Sequence, residues 1–399
     1  MEGGIGPSTW DVPGRSYICS AMMSLMLPAT LAFLVALFGM PSLIMLAKRK
    51  HLVDEPSEAR KMHHRSVPTV GGVMFFAALF CSALVSFSWM SMAPAQMTQW
   101  MGVLGAGIPI FFMGLKDDIM GMGANKKLLV HMAIGVFLVV GLNLRIDNFD
   151  GLFGLHSIPF YVSAPFSWFV YIVVVNAINL IDGIDGLAGG YGMVAMTAFG
   201  LWFYWTGDLA SATIAAAACG GLGGFLLFNL HPAKIFLGDS GSLLLGLLAY
   251  VFAVRLLQTP NEALWAQVSR PVAAMAILAY PLVDTLRVFT LRVMNRQSPF
   301  APDRRHLHHL LMKLGWGHRL SSAAIWSYSA LFAILAFQPQ NAPMGWTGTP
   351  QFLGTLALAF GVGTVPALLV KRGWGRSALS DALPAEGAAT APAESQQVA

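Results

Sequence analysis

The sequence predicts an all-α integral membrane protein of about eleven transmembrane helices, with its N-terminus outside and its C-terminus in the cytoplasm. Three observations carry that expectation: an apolar composition, apolar runs of spanning length repeated along the chain, and basic residues gathered on one side. Of 399 residues, 56% are hydrophobic and only 11% charged, whereas about a quarter of a soluble domain is charged. Such a chain cannot clothe itself in polar groups and belongs in a bilayer.

Crossing the hydrocarbon core takes roughly 17–25 apolar residues. Runs of that kind fall at about 21–47, 70–90, 98–115, 127–144, 158–178, 187–206, 210–230, 241–258, 267–291, 321–338 and 351–370. Arg15 is the only positive charge ahead of the first run. That run is long enough to span, so it reads as a retained helix and not a cleaved signal.

The connecting loops alternate in charge. The N-terminal segment and the even-numbered loops hold Arg15, Arg145, Arg255 and Arg270, while the odd-numbered loops and the C-terminus hold the other twenty of 24 Lys and Arg residues. By the positive-inside bias, the odd loops and the C-terminus are cytoplasmic. The net charge of +5 is therefore a topology signal and does not point to nucleic acid. Cys19, Cys81 and Cys219 show no CxxC spacing, which argues against a disulfide framework or a cysteine zinc site. Residues 1–376 read as one polytopic catalytic domain. The Ala-, Pro-, Glu- and Gln-rich stretch 377–399 reads as a disordered cytoplasmic tail.

Four polar segments interrupt the apolar chain, all at predicted cytoplasmic helix ends. The first, Gly114 to Asp118, ends the third run with adjacent carboxylates, Asp117 and Asp118. Such a pair repels unless a cation or shared proton relieves it; a solvated loop is the plainer alternative. The second runs from Asn176 to Gly190. If the fifth helix continues through it, Asn176, Asn179, Asp182 and Asp185 form one i, i+3 stripe. Burying that stripe in lipid is costly, so it must line a polar cavity or bind a cation and ligand.

The third segment, Phe236 to Ser242, opens the eighth run. A helix N-terminus there offers N–H groups to phosphate, and Asp239 offers a hard oxygen suited to Mg²⁺, with ordinary capping by Asp or Ser as the alternative. The fourth, Ser298 to Leu310, carries Arg304, Arg305, His306, His308 and His309. No Cys or HExxH partner accompanies them, so anion binding fits better than zinc. A fifth segment, Lys61 to Gly72, adds His63 and a glycine pair on the same side, either touching substrate or only enforcing topology. Asp284 stands three residues before Arg287, in position to pair with it.

Taken in order, these segments resemble the polyprenyl-phosphate N-acetylhexosamine-1-phosphate transferases over nearly the whole chain to about Lys371. The run from Asn176 to Gly190 followed by Gly238-Asp239-Ser240-Gly241-Ser242 carries the likeness, and the Pro302 to His309 stretch is similar to the His-x-His-His form of the WecA-type members. The resemblance implies transfer of N-acetylglucosamine 1-phosphate from a UDP-sugar to undecaprenyl phosphate with release of UMP, in a bacterial cytoplasmic (inner) membrane.

It further implies Mg²⁺, with Mn²⁺ as a substitute, held by Asp239 with Asn179 as a second ligand. Asp117 and Asp118 would engage the lipid phosphate, and Asp182 and Asp185 the uridine and metal region. Arg304, Arg305, His306, His308 and His309 would contact the diphosphate and sugar. Asn176 and His63 join the expected substrate contacts, and a homodimer is the implied assembly. A phospho-MurNAc-pentapeptide translocase-like enzyme shares much of the pattern. A transporter would instead spread its polar groups through the bilayer depth, and here they gather at one face.

Overall fold

The computed structural model describes residues 15–50, 52–54, 67–260, 267–297, 305–337 and 348–374. In these residues the apolar runs are helices: α1 (Arg15–Arg49), α2 (Gly72–Phe87), α3 (Pro94–Met120), α4 (Ala124–Val136, prolonged by a π turn, Phe137–Gly141), α5 (Phe160–Leu180), α6 (Leu187–Trp205) and α7 (Leu209–Asn229). Then come α8 (Gly238–Gln258), α9 (Arg270–Ile277), α10 (Ala279–Met294), a short α11 (Leu307–Lys313), α12 (His318–Ala336) and α13 (Thr349–Lys371). Between α1 and α2, β1 (Val53–Asp54) pairs antiparallel with β2 (Val67–Pro68). Helix suits a chain in lipid because it satisfies its own backbone groups.

Eight of these helices are long and apolar enough to cross a bilayer, or nine if α9 and α10 are one span. The chain is a multi-pass helical membrane protein. The unbroken helix expected over 267–291 is instead two helices meeting at 72° about Leu278. Pro281 lies in the first turn of α10. It has no N–H to bond Ile277, and its ring crowds that carbonyl, so one helix ends and another begins.

Helix α8 is the axis of the bundle, with 94% of its most apolar window buried against 17% for α1 and 11% for α13. It packs between α3 and α5, with α2, α6 and α9 around it. The outer helices turn Phe38, Phe112, Phe169 and Leu368 outward, toward where lipid tails would lie. Close approach replaces the hydrophobic effect as the force between helices here. On α7, a Cβ at Gly220 would lie 2.0 Å from the Ala29 carbonyl oxygen of α1, and one at Gly224 would lie 2.7 Å from that of Phe33. The α1–α7 contact is thus a small-xxx-small seam.

The polar contacts bring helix ends of opposite sense together. One end of the bundle gathers the C-termini of α3, α5 and α7 with the N-termini of α4, α6, α8 and α12. At the opposite end stand Arg145, Arg255 and Arg270, each paired with a carboxylate: Arg145 with Asp147, Arg255 with Asp208 and Arg270 with Asp150.

Gly220→Ala forces α1 and α7 apart. It is expected to lower the thermal midpoint in detergent by the equivalent of about 1–3 kcal/mol, the usual cost of overpacking. Gly105→Ala, where a Cβ meets nothing within 4 Å, should leave the midpoint unchanged; intrinsic tryptophan fluorescence follows both.

Candidate active site

The site is built around the first turn of α8. A new helix has N–H groups with no partner in their own chain segment, and here they are met by carboxylates from elsewhere. Asp239 N–H donates to Asp118 Oδ1 at 2.8 Å and Ser240 N–H to Asp118 Oδ2 at 3.0 Å, while Gly238 N–H donates to Asp182 Oδ2 at 3.1 Å. Negative charge at a helix N-terminus also complements the macrodipole. This corrects one expectation: these three N–H groups hold protein carboxylates and are not open to phosphate.

Two glycines allow that convergence. A Cβ on Gly114 would lie 2.5 Å from Ser240 N, so α3 can rest on the start of α8 one turn ahead of Asp118. Gly238 takes φ +73° and passes so close to the Thr69 carbonyl that no side chain fits. The segment 68–72, from the end of β2 to the start of α2, holds this corner, with Phe236 N donating to Pro68 O and Gly71 N to Phe236 O. His63, expected in the same region, lies outside the described residues.

Adjacent in sequence, Asp117 and Asp118 do different things. Asp118 is committed to the α8 backbone. Asp117 accepts Met122 N–H at 2.6 Å and pairs with the Lys127 ammonium, which also reaches Asp239 Oδ2 at 2.9 Å. Lys127 thereby bridges two carboxylates that would otherwise repel. It returns to them because the three residues 121–123 turn α3 back into α4, with Gly121 at φ +70°. Lys127, Asp117 and Asp239 keep 28%, 18% and 27% of their side-chain surfaces exposed, so the cluster opens to water.

The α5 stripe is only half realised. Helix α5 ends at Leu180, and Asp182 and Asp185 lie in the turn 181–186, not on its face. Gly186, at φ +78°, immediately precedes α6. Asn179 stays in the cluster and donates to Asp239 Oδ1 at 2.8 Å and Ser242 Oγ at 2.9 Å. Asn176 is exposed and donates to Ile172 O of its own helix.

The turn is fastened from three directions. Asn229 accepts Gly186 N–H at 2.9 Å and donates to Ile235 O at 2.8 Å. Trp326 donates to Leu187 O at 3.2 Å and packs where a Cβ on Gly190 would be. Asp185 is buried and accepts from His231 Nδ1 at 2.6 Å and Ala233 N at 3.1 Å. Loss of hydration pushes the Asp182 carboxyl up to about 7, although the Gly238 N–H pulls the other way.

The histidine segment reaches the same end through Asp284. Its Oδ1 accepts Leu307 N–H at 2.9 Å and Arg287 at 2.7 Å, and its Oδ2 faces His306 Nδ1 at 3.0 Å. The i, i+3 pairing with Arg287 is as expected, and the carboxylate also tethers the start of α11. His308 is buried with its ring against Gly183, next to Asp182. Burial first, and then His309 beside it, pull the His308 imidazole down to about 3, so it is neutral at neutral pH. His309 and Arg305 are half-exposed, and Arg305 bonds Gln297. Arg304 lies outside the described residues.

The sequence reading missed Lys127, Asn229, His231, Trp326 and His318. Only Lys127 left a signal, a Gly-x-Gly turn that brings it back toward Asp117.

The profile of Glycosyl transferase family 4 matches residues 100–257, which contain all but the last residue of α8 and every aspartate of the cluster. A probable undecaprenyl-phosphate N-acetylglucosaminyl 1-phosphate transferase of Bacillus subtilis (strain 168) is 30% identical over 329 residues, covering 79% of this chain and 86% of the relative. This chain belongs to glycosyl transferase family 4. Other members similar to it are the undecaprenyl-phosphate alpha-N-acetylglucosaminyl 1-phosphate transferases of Escherichia coli O157:H7 and Yersinia pestis. The first is 28% identical, covering 72% of this chain and 76% of the relative. The second is 29% identical, covering 78% and 84%. The family resemblance drawn from the polar segments is therefore correct.

Because Asp118 holds two backbone donors, Asp118→Ala is expected to cost about 1–3 kcal/mol for each N–H left unsatisfied and to lower the thermal midpoint clearly. Asp117→Ala, whose partners reach water, should shift it little. Parallel melts of the two variants check this division.

Proposed function

We propose that this chain transfers N-acetylglucosamine 1-phosphate from UDP-N-acetylglucosamine to undecaprenyl phosphate, releasing UMP, at the cytoplasmic face of a bacterial inner membrane. The observation that carries the reading is the gathering of Asp117, Asp118, Asp182, Asp239 and Lys127 at one water-accessible end of the bundle. The names of the similar proteins support the substrate pair. The excess of basic residues in the loops of that end supports its cytoplasmic location, and eleven crossings fit the helix ends of opposite sense gathered there.

The donor set fits Mg²⁺: it is made of hard carboxylate oxygens, and the Lys127 ammonium between Asp117 and Asp239 marks a position that already attracts positive charge. Asp239 would hold the ion with Asp117 beside it. Asn179 orients Asp239 through its amide nitrogen, which leaves its Oδ1 as the atom to meet a cation. When bound, Mg²⁺ supplies neutralisation of the diphosphate charge.

The remaining work falls to the chain itself. An oxygen of the lipid phosphate attacks the sugar-linked β-phosphorus, the bond to the UMP oxygen breaks, and catalysis is positioning and electrostatics. Asp117 is the carboxylate suited to take the last proton of the lipid phosphate, because one of its oxygens is held only by the partly exposed Lys127 ammonium, whereas both Asp118 oxygens are held by the α8 backbone. Lys127, Arg305 and His309 supply cationic and donor groups for the phosphates.

Purified protein with undecaprenyl phosphate, Mg²⁺ and a panel of UDP-N-acetyl sugars should release UMP with UDP-N-acetylglucosamine; a folded protein inactive with every sugar overturns the reading. Chelation should stop release and added Mg²⁺ restore it. Asp239→Asn should lower kcat by about a hundredfold or more, the scale for losing a central electrostatic group, with little change in thermal midpoint. Near-normal turnover would remove Asp239 from the metal site.

A further inference from the structure

A second set of metal-ligating groups shares no donor with the carboxylate cluster. Asp185 from the turn before α6, His231 from the loop after α7 and His318 from the first turn of α12 bring one ligand atom each within 4.8 Å of one another. His231 Nδ1 lies 2.6 Å from Asp185 Oδ2, and His318 Nδ1 lies 3.6 Å from Asp185 Oδ1. The two imidazole rings stack with centroids 4.8 Å apart. Bonds of about 2.0–2.1 Å to a tetrahedral zinc place neighbouring donors roughly 3.3 Å apart, so small side-chain rotations turn this arrangement into a coordination triangle.

An ion would displace the His231 Nδ1 proton that now bonds Asp185, while His318 Nδ1 is already an acceptor. Asp185 N–H donates to His318 Nδ1 at 3.3 Å. That nitrogen is therefore unprotonated, the form in which imidazole binds a metal, and an ion would take its lone pair in place of this long hydrogen bond. The site is also built and held. Arg319 donates twice to the His231 carbonyl, at 3.0 and 2.8 Å, and Ser322 Oγ donates to the Asp185 carbonyl at 2.8 Å. Asp185 is buried while 41% of the His231 side chain is exposed, which leaves a route for an ion from water.

We propose that Asp185, His231 and His318 bind a borderline-soft divalent ion of the zinc class. Two imidazoles and one carboxylate suit such an ion and not Mg²⁺, which prefers an all-oxygen shell. The chain supplies three ligands and leaves a fourth position for water. Because the ligands come from three segments that are distant in sequence, the ion staples the turn carrying Asp182 to the α7–α8 loop and to α12. The ion takes Asp185 and none of Asp117, Asp118, Asp182 or Asp239.

The test needs no turnover, so its failure is separable from failure of the transferase reading. Full-length protein in detergent is loaded with Zn²⁺ in excess Mg²⁺ and desalted, and retained zinc is measured by mass spectrometry, with Co²⁺ absorption reporting tetrahedral nitrogen and oxygen ligation. One zinc per chain and a raised thermal midpoint are expected in the unaltered protein. Both should vanish in His231→Ala and in His318→Ala. If an Ala variant does not fold, Gln, which keeps a hydrogen bond to Asp185, takes its place. Zinc retained equally by the variants, as for an ion seated on His306, His308 or His309, overturns the proposal. So does no retained zinc at all, which would make the trio a hydrogen-bonded clamp only.

Discussion

Helix α8 begins inside the packed end of the bundle, and its first N–H groups find their acceptors on other segments. That single requirement organises the molecule. Asp118 must come from the end of α3 and Asp182 from the turn after α5, so three elements far apart in sequence are locked at one point. With α8 buried along nearly its whole length, a failure to satisfy its first turn would leave amides unpaired where water reaches poorly.

Once that corner is fixed, the chemistry follows from what is left over. Asp118 and Asp182 are spent on the helix terminus. Asp117, next to Asp118, and Asp239, which lends the capping its N–H but not its carboxylate, keep partly exposed carboxylates that share Lys127. A cluster with this many carboxylates is tolerable because backbone dipoles stabilise two of them and an ammonium stabilises the other two. The histidine segment is brought in by the same logic, through a buried carboxylate at Asp284 that binds a side chain, a guanidinium and a backbone amide together.

The helices were legible because spanning length and apolar content leave few alternatives: the runs at 158–178, 187–206 and 210–230 lie within a few residues of α5, α6 and α7. The end of the bundle that carries the polar segments was legible too. The division of labour was not. Asp117 and Asp118 read as equivalent, and the stripe from Asn176 to Asp185 assumed that α5 continued past Leu180. Helical spacing gives a face only while the helix lasts, and the glycines at 183 and 186 let the chain turn out of it. Histidines 231 and 318 carried no local pattern at all, since their meaning lies in a contact between segments.

By itself, the sequence determined that this is a helical membrane protein with an acidic, glycine-rich set of motifs and a family likeness that the comparisons bear out. Hydropathy and motif order are local properties, readable without coordinates. Only the tertiary structure decided which carboxylates hold the fold and which face water. That choice depends on where the unpaired N–H groups of α8 fall relative to Asp118 and Asp182, which are 121 and 56 positions from the groups they meet.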